Sequence, residues 1–138
     1  MKQAFFSFFV IIISMFIIDG CWLFLMHKRF YTPYIGHLFK DSMEIFPAII
    51  FYILFAIALN VLVVLPALKN QIGYLQLLPL AALFGMVTYG TYDLTNQVTL
   101  KNWPWIVTLV DITWGSCLTT LLSFISTFIT RYFFNLNS

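Results

Sequence analysis

The chain has 138 residues, 62% of them hydrophobic, 20% aromatic and only 9% charged. A soluble domain carries about 25% charged residues, so there is too little charge here to cover a globule in water, which excludes a soluble enzyme or binding domain. The formal net charge of +2 comes without a basic patch and excludes nucleic acid as a partner; membrane lipids are the expected surroundings.

The first apolar stretch runs from Ala4 to Met26 and is interrupted only by Asp19. About 20 residues of helix span a hydrocarbon core, so this stretch is long enough to cross. Lys2 ahead of it suggests a signal peptide, and Ile18-Asp19-Gly20-Cys21 has the outline of a lipoprotein cleavage box. Yet Asp19 stands where a small neutral residue is needed, and the apolar run continues through Trp22 to Met26. With no small-x-small cleavage site present, the segment is expected to be a retained helix.

The next stretch, His27 to Ile45, carries Lys28, Arg29, Lys40, Asp41 and Glu44. Within it Thr32 can cap a short helix with Pro33 at its first position. Tyr34, Ile35, Leu38 and Phe39 would share one face, with His37, Lys40 and Asp41 on the other, so an interfacial amphipathic helix is expected. His27 and His37 are expected to be solvated or bound to headgroups.

Three more stretches are long enough to cross. Phe46 to Leu68 is uncharged, with Pro47 as a first-turn proline; Ile72 to Tyr92 is uncharged, with Pro79 inside; Trp103 to Thr130 carries Asp111 as its only charge. Lys69-Asn70-Gln71 between the second and third forces an antiparallel hairpin. The third connection, Asp93 to Asn102, is polar and leads into Trp103-Pro104-Trp105, which reads as an aromatic anchor at the membrane interface. Backbone groups in lipid must be paired internally, which demands helices here. The expected fold is therefore all-α: a polytopic membrane protein, with residues 1–138 forming a single four-transmembrane-helix bundle. A short interfacial helix is expected between helices 1 and 2. Lys28, Arg29, Lys40 and Lys101 on one side face Lys2, Lys69, Arg131 and the amino terminus on the other, a balance that gives no positive-inside signal. Cys21 and Cys117 lie in apolar stretches without metal-ligand spacing, so neither metal nor cofactor is expected and both thiols read as packing residues.

Threading the chain through four crossings brings Asp19, Asp93 and Asp111 into one half of the bilayer. Asp19 precedes the end of helix one by seven residues, roughly 10 Å at 1.5 Å per residue. Asp111 follows the start of helix four by a similar distance, and Asp93 ends helix three at the same face. A charged aspartate at a helix centre costs about 2.5 to 3.5 kcal/mol on insertion scales, so such groups face the bundle interior. Trp22 and Trp114 follow Asp19 and Asp111 at the same offset, in the paired runs Ile18-Asp19-Gly20-Cys21-Trp22 and Val110-Asp111-Ile112-Thr113-Trp114. That offset puts each ring near the helix face of its own carboxylate. Helix three adds Tyr89 and Tyr92, with Thr95 and Asn96 following within reach. The competing reading is that the aspartates pair with Tyr, Trp and Thr donors and only specify packing. For the deep part of the stripe Thr108, Asp111, Gly115, Thr119, Ser126 and Thr130 on helix four, close packing through small residues is the preferred reading, and near Asp111 packing and a pocket are compatible.

Asp19-x-x-Trp22-Leu23, Tyr34-x-Gly36-x-Leu38, Pro66-Ala67-Leu68 and Trp103-Pro104 recur in a known pattern. So do Tyr89-x-Thr91-Tyr92-Asp93-Leu94-Thr95-Asn96, Thr99-Leu100 and Asp111-x-x-Trp114-Gly115. Together they resemble the bacterial predicted-membrane-protein family catalogued as domain of unknown function 2177. The resemblance spans nearly the whole chain and implies a four-helix protein of the bacterial cytoplasmic (inner) membrane. It supplies no activity.

Three functional readings follow. The leading one is binding or proton-coupled handling of a small cationic or amphipathic ligand in an acidic, aromatic-lined pocket near one bilayer face; transport through so few helices would require a homo-oligomer. The second is a membrane-embedded enzyme acting on a lipid or lipid-linked substrate through an aspartate dyad that shares a proton and activates water. The third is a non-catalytic assembly or lipid-organising factor. No Ser-His-Asp order, phosphate loop or metal-binding helix motif is present, so the catalytic question stays open.

Overall fold

The computed structural model describes residues 1–136. Helix α1 (Lys2–Met26) runs without a break through a π-helical turn (His27–Tyr31) into α2 (Thr32–Ile35) and a 3-10 turn (Gly36–Leu38). Helix α3 (Ile45–Leu59) likewise passes through a π-helical turn (Asn60–Val64) into α4 (Leu65–Lys69). Helices α5 (Tyr74–Thr99) and α6 (Trp105–Phe133) complete the chain. These make four rods, Lys2–Leu38, Ile45–Lys69, Tyr74–Thr99 and Trp105–Phe133, each long and apolar enough to cross a membrane. The fold is all-helical among the described residues, as the sequence requires.

Both π turns stand directly before an X-Pro pair, Thr32-Pro33 in one case and Leu65-Pro66 in the other. A proline inside a helix has no N–H to donate, and its ring presses on the carbonyl one turn earlier. Widening the preceding turn to the π pattern relieves that clash while keeping the rod continuous. Thr32 accordingly donates its backbone N–H to the His27 carbonyl, and Leu65 to that of Asn60. Thr32 is therefore not a cap. It lies within the helical run, and its hydroxyl also donates to the His27 carbonyl at 2.9 Å. The short helix at Pro33 thus extends the first rod. Ile35 is its buried residue, set against Trp103 and Val107, while Tyr34, Leu38 and Phe39 remain exposed.

The lipid-facing surface is built from side chains that water would not tolerate, among them Phe5, Phe16, Phe24, Phe46, Leu83 and Phe128, all exposed. An apolar surface of this extent marks a membrane environment. The interior is filled by Ile11, Met15, Leu59, Val63, Leu118 and Leu122. Helix α6 sits centrally, against α5 along most of its length and against α1 on another side. The α5–α6 contact is close because Gly85 and Gly115 face it: a Cβ on Gly85 would lie 2.1 Å from the Gly115 carbonyl oxygen, and one on Gly115 would lie 2.3 Å from the Tyr89 ring. Thr119 ties the same interface by donating to the Ala81 carbonyl at 2.7 Å. Thr108, Gly115, Thr119, Ser126 and Thr130 are all buried, as small-residue packing requires.

At the end of the bundle remote from the acidic residues, Ser7 donates to Asn60 Oδ1 at 2.7 Å, Asn60 Nδ2 donates to the Ala4 carbonyl at 2.9 Å, and Ser126 donates to the Ser7 carbonyl at 3.0 Å. Arg131 closes the same end, donating to the carbonyls of Ala67 and Ile72 and lying over the Tyr74 ring.

Two further sequence expectations change. Helix three does not stop at Tyr92 but continues to Thr99, so Asp93 is an interior residue and not a helix end. No glycine or proline interrupts Leu94 to Thr99, and Thr91, Thr95 and Thr99 satisfy their hydroxyls on carbonyls of their own helix. The connection shrinks to a few residues around Asn102, which has φ 61. Trp103, expected as an interfacial anchor, is buried against Ile35 and Val107, with its indole N–H on Thr108 at 3.1 Å. Trp105 is the exposed member of the pair.

Candidate ligand pocket and its acidic network

The two Asp-x-x-Trp runs are on α1 and α6, which pack side by side. Each places a carboxylate one turn from an indole, and the structure pairs them across the interface. The Trp22 and Trp114 rings stack face to face, 4.1 Å between centroids and 6° between planes. Trp114 Nε1 donates to Asp19 Oδ1 at 2.9 Å, so the α6 indole serves the α1 carboxylate. Trp22 Nε1 donates to the Tyr31 hydroxyl at 3.1 Å, and that hydroxyl donates to Asp111 Oδ1 at 2.5 Å. Asp19 Oδ2 accepts from the Tyr52 hydroxyl at 2.6 Å. Each indole stays one turn from its own aspartate, while the hydrogen bonds cross between helices: Trp114 serves Asp19, and Trp22 reaches Asp111 through Tyr31.

The π turn makes this possible. It carries Tyr31 back toward Trp22, nine residues earlier, while Ile35 remains against α6. Tyr52 comes from α3, so the network joins three rods around one point. Both oxygens of Asp19 are occupied by protein donors. Asp111 has a donor on Oδ1 only, which leaves Oδ2 without one among the described residues.

Around this network lies a cavity of about 1010 Å³. Its wall includes Asp19, Trp22, Tyr89, Tyr92, Asp111 and Trp114, six of the nine residues the sequence singled out. Tyr31, Tyr52 and Trp103 add further aromatic faces, and the linker Phe39 to Glu44 forms the rim, where Lys40 and Glu44 are ion-paired at 2.6 Å. His27 is also in the wall and stacks on Phe39 at 5.4 Å.

Asp93, Thr95 and Asn96 are not in that wall. Thr95 is exposed and bonded to the carbonyls of Thr91 and Tyr92. A helix turns about 100° per residue, so continuation of α5 carries Thr95 to the face opposite Asp93. Asp93 is wholly buried, and among the described residues neither its carboxylate oxygens nor the buried Asn96 Nδ2 has a partner. No hydrogen bond joins any two of the three aspartates among the described residues, so the proton-sharing geometry of a catalytic dyad is not formed. No group of His, Cys, Asp and Glu suited to a metal ion occurs among the described residues.

Sequence reasoning missed Tyr31, Tyr52 and Asn60. The available signal was scarcity: Tyr52 and Asn60 are the only polar side chains between Phe46 and Leu68, and both are hydrogen-bonded inside the bundle. Tyr31 was hidden by reading its segment as a connection.

A four-helix membrane bundle with a crossed aspartate–aromatic network beside a cavity defines the class of protein. The chain belongs to the family of predicted membrane proteins DUF2177, whose model matches residues 4–128 and so takes in every member of the network. No curated protein and no solved structure matches the chain.

Proposed function

We propose that this protein is a multi-pass protein of the bacterial cytoplasmic membrane whose cavity binds a small amphipathic organic cation. The observation that supports this reading is Asp111, a carboxylate in the wall of an aromatic-lined cavity with one oxygen left without a donor among the described residues. A cation placed there gains an ion pair with Oδ2 and the faces of tryptophan and tyrosine rings, each ring contributing up to about 2 kcal/mol when desolvated. The volume is at the upper end for drug-sized ligands, and the wall is aromatic enough to hold apolar substituents. Asp19, whose oxygens are both taken, holds the walls in place.

Titration of the protein in nanodiscs with tetraphenylphosphonium tests this, with quenching of the Trp22–Trp114 pair as the signal. Saturable quenching that Asp111→Asn weakens by more than about tenfold, or 1.4 kcal/mol, supports the reading. Asparagine keeps an acceptor for Tyr31, so the wall survives while the charge is lost. Equal affinity in the variant, or no saturable binding by the native protein, rejects it.

A further inference from the structure

Asp93 lies outside the cavity wall, is 0% exposed, and has no hydrogen-bond partner on either carboxylate oxygen among the described residues. Its position along α5 follows from its neighbours on the same face. Tyr89, one turn before, meets Gly115, and Gln97, one turn after, donates to Thr108 at 3.1 Å. Asp93 therefore sits between those levels, opposite the α6 turn that carries Asp111. The acidic residue on that turn is Asp111, with Tyr31 of the π turn hydrogen-bonded to it, and the helix of Asp93 itself offers Tyr89 and Tyr92. Two negative charges side by side in an apolar bundle are prohibitively costly without partners, whereas a single charge on the pair is not.

We propose that Asp93 carries a proton in the unoccupied protein while Asp111 is ionised, and that an organic cation bound at Asp111 lets Asp93 ionise, so that the site exchanges a cation for a proton. This rests on the cation reading of the pocket and adds the coupled ion. The charges balance. The empty pair is one carboxylic acid and one carboxylate, net −1; the occupied pair is two carboxylates and one cation, again net −1. The proton leaves Asp93 for water, with only O–H bonds made and broken. Asn96, one turn further along α5, likewise has a buried Nδ2 without a partner among the described residues.

Two measurements test this. In weakly buffered nanodiscs near neutral pH, tetraphenylphosphonium binding to the native protein should release roughly one proton per probe bound. Asp93→Asn should still bind the probe but release no proton. Release that is unchanged in Asp93→Asn, or binding by the native protein without release, overturns the proposal. The second measurement needs no ligand. The infrared spectrum of the unliganded protein should show a protonated-carboxyl C=O band that Asp93→Asn removes, and absence of that band overturns the proposal. If the band is present but the probe fails to bind, the cation reading fails while the protonated Asp93 stands.

Discussion

Asp19 and Asp111 each take a tyrosine hydroxyl, yet their remaining oxygens are used differently. Asp19 has a second donor in Trp114, and Asp111 has none among the described residues. That difference, invisible in two similar Asp-x-x-Trp runs, separates a residue that fixes the wall from one that is open to a ligand. It predicts unequal effects of removal. Tyr52→Phe deletes one donor to Asp19 and should cost about 1 kcal/mol of stability, the usual net contribution of one hydrogen bond, with probe affinity changed less than about threefold. Reversible unfolding in mixed micelles together with the fluorescence titration checks both numbers. A loss of affinity as large as that of Asp111→Asn would put Asp19, and not Asp111, at the centre of the site. The aspartates and tryptophans could be chosen from sequence because charge in an apolar span is costly enough to stand out. Tyr31 and Tyr52 could not, because a tyrosine in a membrane helix is equally at home in the interfacial belt.

The elements show the same pattern of partial legibility. Four apolar rods and the tight hairpin at Asn70 follow from hydropathy and length alone. The end of α5 does not, because a run of polar residues after Tyr92 reads as a loop while Thr91, Thr95 and Thr99 satisfy themselves within the helix. The π turns were equally hidden, although the prolines at positions 33 and 66 give the physical cause. At the α5–α6 interface, Gly85 admits no methyl group, whereas Gly20 has nothing within 4 Å of an added Cβ. Gly85→Ala should therefore destabilise the bundle by about 1 to 3 kcal/mol, as overpacking does, and Gly20→Ala should be neutral or slightly stabilising through helix propensity. Thermal unfolding of the pair in detergent checks this, and equal midpoints would mean that α5 and α6 are not closely apposed through Gly85 and Gly115.

Across the whole molecule, the threading that gathers three aspartates at one end also fixes which positions share a compartment. Single cysteines at Lys2, Asn70 and Asn135 should react with an impermeant thiol reagent from one side of the membrane, and cysteines at Lys40 and Lys101 from the other. A mixed result within either set would separate α1, α5 and α6 and dismantle the pocket. The pocket itself depends on α1, α3, α5 and α6 arriving at one place, and its central claim is that Asp111 supplies a counter-charge to a bound cation. Equilibrium dialysis of radiolabelled tetraphenylphosphonium against native protein and Asp111→Asn, both in nanodiscs, measures that claim most directly. Saturable binding to the native protein that falls by more than about tenfold in the variant is the predicted result. Identical isotherms for the two proteins would contradict it.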